Sequence, residues 1–434
     1  MYWIYNILLI IYWLGLIPVI LYRLAFEEGF YERIKQSAGY MPLPLLKKIE
    51  GRRAIWVHAA SVGEIVATSP IVKAIKRDFP EAVVVVSVVT ATGHAMAHRI
   101  IPEADGIIFF PLDLPYLTKK ILHIIKPITI LLVETEIWPN FLRIAEKEKI
   151  PIMMVNGRIS DRSMKRYRYI SAFTKEMLGS INRFCMQSKF DAAYIEQLGA
   201  PVQDITVTGN MKYDQTYATV SEEEKQSLLD EFGFCHNHPI IVAGSTHKGE
   251  EEVLFHTFIT VLQAYPQARM LIAPREIMRG KDVQNIASRY GLLSICRSAM
   301  KEPVHEGIPV VVLDTIGELG RLYSLGDIIF VGGSLVKTGG HNILEPAAHS
   351  KPIVVGPHMF NFKEIFNLLH SRQACLQVRN GHELTDTILR LCGDAQLRED
   401  MGRHCMEIMT ENKGATHRNI EEIRMLFKKK QIIP

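Results

Sequence analysis

Several familiar signatures are missing from this sequence. No Gly-x-Gly tripeptide occurs among its 29 glycines, which excludes the tight turn that brings a Rossmann backbone against a dinucleotide pyrophosphate. None of the six cysteines (Cys185, Cys235, Cys296, Cys375, Cys392, Cys405) forms a Cys-x-x-Cys pair, so neither a disulfide scaffold nor a zinc module is indicated and a reducing compartment is expected. No Asp-x-Asp pair is present to hold a metal-bound nucleotide diphosphate, and the nearest carboxylate pair, Glu134-x-Glu136, precedes Trp138-Pro139 and reads as a structured loop. Excess charge is scarce too: 50 Lys+Arg against 46 Asp+Glu leave +4, which gives no support for a nucleic-acid partner. A P-loop is nearly approached at GSTHKGEE, but Glu250 and Glu251 stand where the phosphate lysine and the Ser/Thr belong.

What is present is a globular chain of 434 residues, 48% of them hydrophobic, too long for a single core. Met1 to Tyr22 carries no charge and would span about 33 Å as a helix, enough for a bilayer core. It lacks a basic start and a small-residue cleavage site, so an uncleaved anchor is expected. The cations after it (Arg23, Arg33, Lys35, Lys47, Lys48, Arg52, Arg53) place the rest of the chain on the cytoplasmic side. The alternative is a helix lying in the membrane interface. Because the segment precedes the first strand, it is expected to supply local concentration at the membrane, with the remainder folding without it.

Short apolar runs then alternate with amphipathic stretches, as parallel sheets with crossover helices do. One series runs from Ala54–His58 to Ile205–Thr208 and a second from Ile240–Ala243 to Pro352–Val355. The resulting α/β organisation is an anchor over 1–22, a doubly wound domain over 23–212, a charged linker over 213–235, a second doubly wound domain over 236–397 and C-terminal helices over 398–434.

In the second domain the string FVGGSLVKTGGHNILEPAA, Phe330 to Ala348, lies between a strand and a helix. Its glycines permit close backbone approach, a helix beginning near Asn342 would aim N–H groups at a phosphate, and Glu345 in its first turn could accept from ribose hydroxyls. The alternative is an ordinary strand-turn-helix. In the first domain Glu64 stands at a helix entrance after the strand ending at His58, where the helix dipole favours its ionised form and doubly wound sheets place ligands. It could accept a proton from an attacking hydroxyl, or simply complete a Ser61-x-x-Glu64 capping box. His58 reads as a packed core histidine. Arg158, Arg162, Lys165, Arg166 and Arg168 form a basic run, either a site for phosphates at a lipid surface or a solvated helix face.

ASVGE (Ala60 to Glu64), ETEIWPN (Glu134 to Asn140), GSTHKGEEE (Gly244 to Glu252) and GGSLVKTGGHNILEPAA occur together and in order, and over nearly the whole chain this resembles the Kdo transferases of lipopolysaccharide assembly. The resemblance implies a GT-B fold, two Rossmann-like domains facing a cleft. It implies inverting transfer of 3-deoxy-D-manno-oct-2-ulosonic acid (Kdo) from CMP-Kdo to the tetra-acylated lipid A precursor, lipid IVA, with release of CMP and no metal or other cofactor. It also implies a Gram-negative inner membrane, with a single-pass or monotopic anchor and the catalytic domains on the cytoplasmic face.

Carried over by residue, Glu64 becomes the general base and Glu134 a second functional carboxylate beside the acceptor. Arg275 would contact the donor phosphate or cytidine, Gly339, Gly340, His341 and Asn342 the phosphate, and Glu345 the ribose. Gly317, within Asp314 to Leu319, belongs to another segment near the nucleotide. The basic run would face the acceptor's phosphates. The chain departs from the pattern at Glu276-Ile277, where His-Pro is usual, and at Ala59 and Ile343. The alternatives are a transferase using another nucleotide sugar and a non-catalytic, membrane-anchored sugar-nucleotide binding protein.

Overall fold

A run such as VVVVSV has no polar face to turn toward water, so it forms a strand only where both faces of a sheet are covered. The computed structural model describes residues 1–27, 29–235, 238–301 and 307–431, with the side chain of Arg162 outside the described set. The chain divides into two units, Met1–Gln215 with Asn412–Pro434, and Thr216–Glu411.

In the first unit β1 (Ala54–His58), β2 (Val83–Val88), β3 (Gly106–Phe109), β4 (Pro127–Val133), β5 (Ile152–Gly157), β6 (Arg183–Met186) and β7 (Ile205–Val207) form one parallel sheet in the order β3-β2-β1-β4-β5-β6-β7. Alternate residues of β1 serve opposite cores: Ala54 and Trp56 join one buried cluster, Ile55 and Val57 the other. Each such fully buried Val or Ile contributes about 1.5–3 kcal/mol of transfer free energy. The strand order reverses between β1 and β4, where loops leaving the two carboxyl ends diverge and leave room for a ligand.

The second unit repeats the plan with β8 (Ile240–Thr246), β9 (Arg269–Pro274), β10 (Ser294–Cys296), β11 (Val310–Val312), β12 (Ile328–Val331), β13 (Ile353–Val355) and β14 (Cys375–Gln377) in the order β10-β11-β9-β8-β12-β13-β14. Its reversal lies between β8 and β12, paired so that Val331 stands beside Gly244. β10 and β14 leave no clear mark in the sequence. Both are three-residue edge strands with too few apolar residues to show a pattern.

The stretch expected to be a linker carries a capped helix, Glu222–Phe232, whose Leu228, Leu229 and Phe232 are buried. The C-terminal helices separate: Ala395–Asn412 stays largely with the second unit, while Ala415–Lys429 returns to the first. There Phe427 meets Phe79 edge to face, Glu422 takes two bonds from the Arg183 guanidinium, and Asp214 accepts from the backbone N–H groups of Gly414 and Thr416.

The N-terminal helix runs from Tyr2 to Phe26, 25 residues or about 38 Å, and among the described residues it alone is long and apolar enough to cross a membrane. It is not a detached anchor. Tyr2, Asn6, Leu9, Trp13, Leu16 and Ile20, spaced by four and three, form a buried to half-buried stripe against the first unit. Tyr2 packs edge to face on Phe173, the Tyr5 hydroxyl donates to Asp113 at 2.8 Å, and the Asn140 amide donates to Asn6 at 2.7 Å. Its first two turns are thus core and hydrogen-bonding partners of the first unit, contacts that the expectation of a segment serving only as an anchor did not include.

Candidate functional site

Helix Val62–Asp78 starts one turn after β1, and its first turn is built by Ser61 and Glu64. Ser61 Oγ accepts from Glu64 N and donates to Glu64 Oε1 at 2.7 Å, and Glu64 Oε2 accepts from Ala60 N at 2.7 Å. The capping box is thus real, and it aims the carboxyl at the carboxyl end of β1 instead of into solvent. Glu64 is 7% exposed. Burial first, then the charges of Glu136 and Glu134, push its pKa from 4.5 to about 8 against the lowering effect of the Ser61 and Ala60 bonds. The expectation that the helix entrance keeps Glu64 ionised is overturned: desolvation and two like charges outweigh two hydrogen bonds.

Glu134 follows β4 directly, with φ +59, a left-handed conformation that a non-glycine residue adopts at a cost. Its carboxylate lies 3.1 Å from Lys212 Nζ. Glu136 accepts from Trp138 Nε1 at 2.8 Å and faces His58 Nε2 at 3.4 Å. His58 is buried as expected, stacked on Phe110 at 3.8 Å with Nδ1 against Ser87. β1 and β4 therefore bring Glu64, Glu134, Glu136 and His58 together. The Glu-x-Glu spacing was the signal for Glu136, but its nearness to Glu64 depends on the pairing of β1 with β4.

The basic run is divided. Arg158 is half-buried, Lys165, Arg166 and Arg168 are exposed on helix Asp161–Tyr169, and the side chain of Arg162 lies outside the described residues.

In the second unit helix Glu250–Ala264 follows β8, and Glu250 does what no P-loop residue would. Its buried carboxylate accepts from the backbone N–H of His247, Gly333, Ser334 and Leu335. The N–H groups just after β12 are thereby taken by a side chain, and an anion must use groups later in the same loop. Gly332 allows the close approach: a Cβ there would sit 2.4 Å from Ser245 O.

Farther along, Gly339 and Gly340 take φ +103 and +75. The helix expected near Asn342 begins at Leu344 and has five residues, so its dipole is small. Asn342 Oδ1 accepts from Leu344 N, and its amide donates to Glu345 Oε1 at 3.2 Å. Burial raises the Glu345 pKa, opposed by Asn342 and by the Arg275 charge. Arg275 is exposed, and its guanidinium has no partner among the described residues. His341 Nε2 lies 2.8 Å from Nε2 of His247, with the rings parallel within 3°. Burial, then Arg275 and His247, lowers His341 to about 4, so near neutral pH it is uncharged and one imidazole donates to the other. His247 was missed because its motif was weighed as a failed P-loop and as a family string, with no role given to the histidine itself.

Gly317 takes φ +89 in a segment that reaches this cluster through Gly320, where a Cβ would stand 3.9 Å from Glu345 Oε2. The departure at Glu276-Ile277 is accommodated in a 3-10 turn, Ile277–Arg279, and the Arg279 guanidinium closes that turn on Glu251 at 2.9 Å. Among the described residues no group of three or more His, Cys, Asp or Glu side chains is placed to hold a metal ion.

Comparison with known proteins gives the family and the fold. Residues 29–215 match the family described as 3-deoxy-D-manno-octulosonic-acid transferase (Kdo transferase). The chain is 32% identical over 405 residues to a 3-deoxy-D-manno-octulosonic acid transferase of Haemophilus influenzae, covering 93% of this chain and 91% of that one. It is 31% identical over 401 residues to the transferase of the same name from Bordetella pertussis, covering 90% of each. A crystal structure of a glycosyltransferase from Rickettsia africae aligns with TM-score 0.59 over 87% of this chain and 99% of that one, at 14% identity, which establishes the GT-B type of fold and nothing of the substrate.

Proposed function

The chain belongs to the 3-deoxy-D-manno-octulosonic acid (Kdo) transferase family, and on that premise we propose that it moves Kdo from CMP-Kdo to the tetra-acylated lipid A precursor, lipid IVA, with inversion at the anomeric carbon. The observation that carries the reading is Glu64. A carboxyl at the strand-order reversal with its pKa raised to about 8 is a stronger base than an ordinary carboxylate, and its ionised fraction can take a proton from a sugar hydroxyl. As the acceptor hydroxyl attacks the anomeric carbon, its proton passes to Glu64. The bond to the donor phosphate oxygen breaks, and CMP departs with the electron pair.

In the second unit the unpartnered Arg275 guanidinium stabilises the charge that develops on the leaving phosphate. Gly339, Gly340 and Asn342 bring backbone against it, His341 supplies a neutral imidazole, and Glu345 accepts from the ribose hydroxyls. Gly317 belongs to the turn flanking the same nucleotide. Glu134, tied to Lys212, supports the acceptor side. Arg158, Arg162, Lys165, Arg166 and Arg168 belong to a basic surface for the acceptor's phosphates.

The N-terminal helix supports an inner-membrane location on the cytoplasmic face. With one stripe laid along the first unit and Trp3, Leu8, Leu14, Leu21 and Phe26 exposed on the other side, it fits a monotopic helix lying in the interface. The test is transfer from CMP-Kdo to the tetra-acylated precursor by the full-length protein in lipid nanodiscs, followed by mass spectrometry, with UDP-sugars as the control donors. A product heavier by Kdo, with thermal protection by CMP-Kdo and none by UDP-sugars, is expected. Transfer from a UDP-sugar instead would overturn the reading.

A further inference from the structure

The chemistry above leaves unused the face that the N-terminal helix turns toward its own unit and the two arginines near its end. Between helix and unit runs a groove of about 460 Å³, with Leu9, Trp13 and Leu16 on the helix side and Phe110, Leu112 and Trp138 opposite. Arg23 and Arg33 belong to the same lining. Both guanidiniums lie over the Phe30 ring, at 5.8 and 5.7 Å. Arg23 has Glu27 at 3.6 Å, whereas Arg33, half-buried on helix Phe30–Ser37, has no acid pairing with it among the described residues. Burial and then the Arg23 charge lower Arg33 below the usual guanidinium range, and the Glu27 charge opposes them. Two crowded cations, one with no acid paired to it among the described residues, at the end of an apolar trough form a receptor for an amphiphile with an anionic oxygen group and a hydrocarbon chain. From Leu9 to Arg23 the helix rises about 21 Å, more than the ~15 Å depth of one leaflet's hydrocarbon.

The groove also shares walls with the surroundings of the base. Ser37, one turn beyond Arg33, donates to the carbonyl of Phe110 at 2.8 Å. Phe110 stacks on His58, and Trp138 holds Glu136, the carboxylate that weighs most on Glu64 after burial. The side chains that wall the apolar trough are therefore in contact with those that surround Glu64. We propose that this groove seats one acyl chain of the phosphorylated lipid acceptor, with a phosphate of that lipid on Arg33 and Arg23. This rests on the acceptor reading given above.

The test uses full-length protein in phosphatidylcholine nanodiscs with two variants, Leu9→Phe/Leu16→Phe to fill the trough and Arg33→Gln to remove a cation from its end. The acceptors are the tetra-acylated glucosamine disaccharide bisphosphate, its deacylated form and its dephosphorylated form. Filling the groove should raise KM at least tenfold more for the acylated than for the deacylated acceptor, with kcat little changed. Arg33→Gln should do the same for the phosphorylated against the dephosphorylated acceptor. Binding is read separately in a Trp3→Phe background by quenching of Trp13 and Trp138 with an acceptor brominated on its acyl chains, and the filled variant should lose it. Quenching without any Kdo transfer by the wild type would support the groove while removing the acceptor function. Equal losses on acylated and deacylated acceptors would overturn the groove assignment. So would brominated phosphatidylglycerol whose quenching the acceptor does not displace.

Discussion

Glu64 and Glu250 occupy matching places in the two units, each in the first turn of the helix that follows the central strand at a strand-order reversal. Their carboxyl groups do different things. Glu64 folds back on Ser61 and Ala60 and stays at the carboxyl end of its sheet, crowded by other acids. Glu250 accepts the N–H of His247 in its own loop and reaches across to three more in the loop after β12. The same location thus yields a buried carboxyl with a raised pKa, proposed above as the proton acceptor, in one unit and a structural tie in the other. The difference arises from the neighbouring loop, which presents a carboxylate pair after β4 and bare N–H groups after β12.

The largest effect expected from breaking this comparison is on chemistry. Glu64→Gln keeps the shape and an acceptor oxygen but cannot take the proton, so turnover should fall by about 10² to 10⁴ while CMP affinity is unchanged. Near-normal turnover in single-turnover assays would reduce Glu64 to its cap. Next, Glu250→Ala should leave four backbone N–H groups short of their acceptor and lower stability by about 3 kcal/mol or more. Chemical denaturation of Glu250→Ala beside Glu64→Gln should show the loss in the first only, and parity would end the contrast. Glu345→Ala should weaken CMP binding by about 1.5–3 kcal/mol through loss of a charge-assisted bond to ribose, and unchanged affinity by calorimetry would make Glu345 a partner of Asn342 alone.

The smallest effect is a shift in pH dependence. A base must be deprotonated to act, so kcat/KM should rise with pH and level off above about 8, the value to which Glu64 is raised. Glu136→Gln removes one of the charges that disfavour ionised Glu64, so the limb should move to lower pH, and an unmoved limb would remove Glu136 from the site. The linked stability has the opposite slope. Between pH 4.5 and about 8 the folded protein holds a proton on Glu64 that the unfolded chain has released, so this group's contribution to stability falls as pH rises through that window.

The parallel architecture was legible because a strand covered on both faces must be apolar throughout, and strands such as Val83–Val88 and Ile328–Val331 are buried along their full length. The order of motifs was legible for a similar local reason: each lies where a strand hands over to a helix, and Ser61-x-x-Glu64 is a cap that four residues specify by themselves. Only the tertiary structure decided what those residues experience. The pairing of β1 with β4 sets Glu136 and Glu134 against a buried Glu64 and reverses its expected ionisation. The approach of Gly332 to Ser245 lets Glu250 fill a place that looked like a failed phosphate loop, and His247 finds His341 94 residues away. The docking of Tyr2, Tyr5 and Asn6 ties the start of the apolar helix to the first unit. Apolar periodicity and caps are short-range properties that a few neighbouring residues determine, whereas desolvation, charge crowding and long-range hydrogen bonds are sums over groups that become neighbours only when the chain has folded.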